Sequence, residues 1–99
     1  MSDEADIMHL ISLLVEACPD EMTPIGAGIL AAASLGIAKD SRSFARKLGL
    51  AHALVLRECV ILAEELHMIV INKKDERTQR MSYDLTPYGS SVIEQAQQA

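Results

Sequence analysis

The stretch IGAGILAAASLGIA, residues 25–38, constrains this chain more than any other. Its alanines and neighbouring leucines and isoleucines predict a helix over about 24–37. Most surface helices keep one polar face, but this one is nearly apolar all round, so other elements must surround it. Its small residues allow those neighbours to approach closely. At fourteen residues, interrupted by one serine and three glycines, it is too short and too broken to span a bilayer. It therefore predicts the central helix of a soluble domain, around which the rest of the chain must wrap.

Ninety-nine residues suffice for one domain, 1–99, with a single modest core. An apolar fraction of 49% argues against disorder. Only Phe44, Tyr83 and Tyr88 are aromatic, so aliphatic side chains must fill the core, which favours helices over a β-sandwich. Cys18 and Cys59 are too few for a disulfide framework and lack metal-ligand spacing, and both are expected to be reduced, buried thiols. The acidic start MSDEAD does not resemble a secretory signal. A cytoplasmic protein with no membrane partner is expected.

The other elements follow from periodicity. Ile7, Met8, Leu10, Ile11, Leu14 and Val15 form a 3.6-residue stripe and predict a helix over 3–17. Asp3, Glu4 and Asp6 suit its N-terminal dipole. Pro19 ends it, and Thr23-Pro24 caps the next helix. Asp40 caps a third, 41–48, which stops at Gly49, and a fourth covers about 51–66. Residues 68–73 and 80–85 alternate with period two and predict a hairpin, 68–86, with a charged tip. Thr86-Pro87 opens a last helix, 87–97. The class is mainly α with a small β-hairpin. Helix, short turn, helix and then hairpin is the winged helix-turn-helix order, whose usual task is binding duplex DNA.

The helix-turn-helix, 41–66, is supported by its register. Counting from Ser41, a small residue (Ala45) stands fifth, glycine (Gly49) ninth and a branched apolar residue (Val55) fifteenth. These are the positions where the helices cross, where the turn needs a left-handed residue, and where the second helix faces inward. Phe44, Leu48 and Leu50 are expected to fill the core slots between them. All nine lysines and arginines lie between Lys39 and Arg80, alongside six acids, in a chain of net charge −5. An acidic body with a cationic face is the expected distribution.

Residues 23–96 resemble the DNA-binding core of the MarR family of bacterial transcription regulators. MTPIGAGILAAAS is similar to the helix leading into the motif, SFARKLGL to its first helix and turn, and AEELHMI to the entry of the wing. DERTQR followed by YDLTPYG resembles the family's wing pattern, Asp-x-Arg-x-x-Arg leading into Leu-Thr-x-x-Gly. The resemblance implies a homodimeric repressor on a pseudo-palindromic operator. Family members commonly continue into a long C-terminal helix. Here the dimer contact is expected to rest on 3–17 and 87–97, whose apolar stripes so small a monomer should hardly bury.

On this reading Arg77 enters the minor groove, where narrow A·T-rich geometry concentrates negative potential. Asp75 holds that arginine in place, while Lys73, Lys74 and Arg80 meet phosphates. Ser41, Arg42, Ser43, Arg46 and Lys47 supply further phosphate contacts, and His52 stands at the start of the recognition helix. With Val55, Cys59 and Leu62 facing the core, Ala53, Arg57, Val60 and Glu64 face away. Arg57 can make a bidentate contact to guanine, and Ala53 can pack on a thymine methyl. Glu58 is expected to pair with one of the bases. Leu56 and Val60 point partly outward, which suits a protein interface, so a winged-helix module that binds a protein partner instead of DNA is the alternative.

No nucleophile motif or Gly-rich phosphate loop points to an enzyme. His9, His52 and His67 are scattered without zinc spacing, so no metal or cofactor is expected. His67 is predicted to take a left-handed cap, and Cys18 is expected to be the more accessible thiol.

Overall fold

Helix α2, Pro24–Ser34, packs against three other helices and one strand, and every residue from Gly26 to Ala33 is buried. A helix with no polar face leads to this position, as expected. A Cβ on Gly28 would sit 3.0 Å from Cζ of Phe44, so the small residue lets the ring close onto the helix. Thr23 caps α2 by accepting from the Gly26 amide at 2.9 Å. The helix stops at Ser34, three residues before the predicted end, and Gly36 turns the chain in a left-handed conformation.

The computed structural model describes residues 3–98, with side chains from Asp6 onward. The dipole role expected of Asp3 and Glu4 lies outside those side chains, and Met1, Ser2 and Ala99 lie outside the described residues. Helix α1, Asp3–Ala17, buries Ile7, Leu10 and Leu14 and packs on α2 and on α5, Pro87–Gln98. Helix α5 buries Val92, Ile93 and Ala96. These stripes were expected to need a second copy. Their inward positions are covered within the chain, where α1, α2 and α5 pack on one another, and Ile11 and Val15 are partly buried. Met8 and Tyr88 remain exposed.

Helix α3, Ser41–Leu48, is capped by Asp40 and ends at Gly49 with φ 66°, in the left-handed region. Phe44, Ala45 and Val55 are buried as the register required. Leu48 is not a core residue: it is 37% exposed, because the turn at Gly49 leads the chain away before that face is covered. Helix α4, His52–Val60, passes directly into one π-helical turn, Ile61–Glu65, closed by Leu66 N–H on the Ile61 carbonyl at 3.0 Å. The sequence predicts plain α-helix there. The wider turn adds one residue and still leaves Leu62 buried. His67 follows with φ 56°, the left-handed cap expected.

Strands β1, Ile69–Lys74, and β2, Met81–Leu85, pair antiparallel with a bulge between Ile71 and Lys73. A feature unseen in the sequence lies on the other side of β2. Asp40 bridges Ser82, and the Tyr83 amide donates to the Lys39 carbonyl at 3.1 Å. The segment just before α3 thus serves as a rudimentary third strand. Among the described residues the chain is mainly helical, with five α-helices and one small antiparallel sheet, compatible with a winged helix. No helix of the described residues is long and apolar enough to cross a membrane.

Candidate nucleic-acid interface

The candidate site is where the N-terminal ends of α3 and α4 meet the hairpin. At its centre is Ser41, the first residue of α3 and fully buried. Its Oγ accepts from the Met81 amide at 2.9 Å and lies 2.8 Å from Nε2 of His52. One hydroxyl therefore joins α3, α4 and β2. Two residues expected to reach DNA are correspondingly turned inward: Ser41 is inaccessible, and His52 is half-buried with one ring nitrogen engaged.

The next layer is ionic. Asp40 accepts from the Ser43 amide and the Ser43 hydroxyl, each at 2.8 Å, and its Oδ1 lies 3.5 Å from Nε of Arg80. Partial burial pushes the Asp40 pKa upward. The Ser43 hydrogen bonds and the Arg80 guanidinium outweigh that effect and hold it below its ordinary value. Burial, followed by the charges of Arg42 and Arg80, lowers the pKa of His52, and Asp40 opposes them. Arg80, expected on a phosphate, is thus paired to the cap of α3, and Ser43 is committed to the same cap.

The wing tip is a closed turn. The Asp75 amide donates to the Arg80 carbonyl at 2.9 Å, and the Gln79 amide, from a left-handed residue, donates to the Asp75 carbonyl at 2.7 Å. Asp75 Oδ1 accepts the amides of Arg77 at 2.9 Å and Thr78 at 3.0 Å. These bonds, Thr78 foremost, hold its carboxylate pKa below the ordinary value. Asp75 does support the wing, but it holds the backbone under Arg77 where the sequence reading had it holding the arginine. Asp side chains favour such local turns over a distant guanidinium. Arg42 Nη2 donates to the Thr78 carbonyl at 3.0 Å and fastens the tip to α3.

Of the remaining expected contacts, Lys47 donates to the Ile37 carbonyl at 2.8 Å. Glu58 meets no base. Its Oε1 accepts from the Thr23 hydroxyl at 2.6 Å, tying α4 to the cap of α2. Among the described residues, Arg46, Arg57, Lys73, Lys74 and Arg77 are exposed with no ion pair or side-chain hydrogen bond, and Ala53 is exposed. Leu54, which the sequence reading overlooked, is 45% exposed on α4, and Leu56 and Val60 are half-buried. Leu54 follows from the helical wheel once Val55 faces inward. The roles of Ser41 and Thr78 have no linear signal, because their partners lie 40 and 36 positions away. No three His, Cys, Asp or Glu side chains among the described residues form a metal-binding group.

Both thiols are held toward the protonated form. Burial, with Glu21 adding, raises the Cys18 pKa, and deeper burial beside Glu58 pushes Cys59 up to about 12. Cys18 is the more accessible of the two.

Searches of protein-family models, curated proteins and solved structures found no match to this chain.

Proposed function

We propose that the chain is a cytoplasmic, winged helix-turn-helix DNA-binding protein resembling the MarR family, acting as a homodimeric transcriptional repressor. In this reading α4 enters the major groove of double-stranded DNA and the 73–80 tip enters the minor groove. One observation carries it. The wing tip is braced from three sides, by Asp75 within the turn, by Arg42 from α3 and by the Arg80–Asp40 pair, while the Arg77 side chain is left exposed. A braced loop that presents an uncommitted guanidinium suits insertion into a narrow, electronegative groove. A loop charged only for solubility needs no such bracing.

The phosphate set is smaller than the sequence implied. Arg46, Lys73 and Lys74 are exposed for backbone contact, Arg57 and Ala53 for base edges, and Arg42, Lys47 and Arg80 already hold protein partners. Few phosphate contacts imply a shallow salt dependence. The test is binding to random duplex DNA at several salt concentrations, with Arg77→Ala in parallel. Enrichment of a pseudo-palindrome, lost in the variant, supports a sequence-specific regulator, and absence of binding at low salt overturns the reading.

A second reading is favoured by Leu48 and Leu54, exposed on either side of the α3–α4 turn. Apolar side chains there suit a protein partner, and on that reading Leu54→Asp abolishes partner binding while DNA binding is absent throughout.

A further inference from the structure

We propose that Ser41 and His52 form a proton-sensitive latch that fastens the hairpin onto α3 and α4 most tightly while the imidazole is neutral. The argument starts from the hydrogen-bonding capacity of one buried hydroxyl. The Met81 amide can only donate, so it occupies a lone pair of Ser41 Oγ. That leaves one lone pair and one O–H, and the His52 ring nitrogen is the other partner of Ser41 Oγ among the described residues. If Nε2 is unprotonated, the hydroxyl donates to it, and both the Ser41 hydroxyl and the Met81 amide are satisfied. If Nε2 carries a proton, it must donate into the second lone pair, and the hydroxyl proton is left buried without an acceptor. The geometry therefore selects the neutral tautomer with its proton on Nδ1.

The charged groups around the ring reinforce this choice. The charges of Arg42 on α3 and Arg80 on the hairpin oppose a third positive charge at His52, and Asp40 offsets them in part. Asp40 is already occupied by Ser43 and Arg80. As acid protonates the ring, the bond between His52 and Ser41 is reversed, and the Ser41 hydroxyl that also anchors the Met81 amide is left with a buried proton and no acceptor, which weakens the anchor. The hairpin then loosens locally at Met81, while Ile69 and Tyr83 keep it seated in the core. This latch is a property of the fold and does not depend on DNA being the partner.

The test contains no DNA. Imidazole ¹⁵N and ¹³C shifts of the full chain are followed against pH, with His52→Asn identifying the resonance, and the protection factor of the Met81 amide is measured across the same range. The expected result is an Nδ1–H tautomer at neutral pH. His52 should titrate below an ordinary histidine, and Met81 protection should fall roughly tenfold through that midpoint, the scale of one orphaned buried hydroxyl. Ser41→Ala should remove the step at Met81. An Nε2–H tautomer at neutral pH, or Met81 protection that stays flat while His52 titrates, overturns the latch. Because the decisive readings come from the unmodified chain, poor folding of either variant does not shield it.

Discussion

The Arg42 guanidinium donates from Nη2 to the Thr78 carbonyl at 3.0 Å, so the first turn of α3 holds the tip of the hairpin directly. Arg42 was expected to be a phosphate ligand, and in the fold it braces Thr78, the residue after Arg77. The two roles predict different behaviour. Arg42→Ala should cost about 1 kcal/mol of stability through one lost charge-assisted bond that is only part-buried. It should also speed exchange of the tip amides of Arg77 and Thr78. A pure phosphate ligand would leave both unchanged, so urea unfolding and amide exchange without DNA decide between them.

Asp40 links the same elements through its carboxylate. Its folded pKa lies below the ordinary value of 3.8, so the unfolded chain binds the proton more readily. The stabilisation is therefore fully present above pH 3.8 and lost as pH falls through the lower folded value. Asp40→Asn keeps an acceptor for the Ser43 amide but loses the charge that pairs with Arg80. At neutral pH it should cost about 0.5 kcal/mol, since Asn caps nearly as well as Asp and the ion pair is partly exposed. Its urea midpoint should also change less between pH 7 and pH 3 than that of the unmodified chain. Equal acid sensitivity would remove Asp40 from the account.

How much of this was legible in the sequence depends on how local the cause was. The caps at Thr23 and Asp40, the left-handed Gly49 and His67, and the inward Ala45 and Val55 follow from short-range rules and stand where the pattern put them. The all-apolar character of 25–33 likewise placed α2 at the centre. What failed was long-range. Nothing in the spacing of Ser41 or Arg42 reveals that Met81 and Thr78 will take up their polar groups, so exposure was assigned to residues already engaged within the fold. The apolar stripe of a single helix does not reveal that α1 and α5 can cover each other. The π-turn after Val60 escaped notice because one inserted residue leaves the apolar period almost intact.

Tyr83 presents an unusual cost. Its side chain is buried, and its hydroxyl has no hydrogen-bond partner among the described residues. Burial, with Cys59 and Asp40 adding, raises its pKa, so the group stays protonated throughout the working range. Tyr83→Phe removes the unsatisfied oxygen and keeps the ring. It should raise stability by about 1 kcal/mol, within the cost of an orphaned buried polar group. A lower melting temperature in the variant would show that the hydroxyl has a partner in solution.

Gly89 lies in the first turn of α5, pressed against the end of α4's exit. A Cβ there would overlap the Met68 carbonyl oxygen, a backbone atom that already accepts the Thr86 amide at 3.0 Å. Neither side can yield by a rotamer change. Gly89→Ala should therefore destabilise by about 3 kcal/mol, the upper part of the overpacking range, despite alanine's better helix propensity. Gly49→Ala is the useful comparison. No atom crowds that site, so its cost comes from the left-handed backbone alone and should be about 1 kcal/mol. Similar losses in the two variants would refute the steric account of Gly89.

The proposed DNA contacts divide between two exposed arginines, and their variants should differ in kind. Arg77 is on the braced tip, and if it reads groove shape as proposed, Arg77→Ala should weaken binding to every A·T-rich duplex and reduce the salt slope by about 1. Arg57 is on α4, on the side away from buried Val55 and Cys59, where a guanidinium can meet the edge of guanine. Arg57→Ala should therefore change which sequences are preferred, with a penalty of about 1–3 kcal/mol confined to sites carrying that guanine. Binding profiles of both variants on one random duplex pool make the distinction. If both lose affinity equally on every sequence, Arg57 is a second phosphate contact and α4 does not read bases. If only Arg77→Ala loses affinity, the hairpin alone holds DNA, and Leu54 and its apolar neighbours on α4 are free for a protein partner.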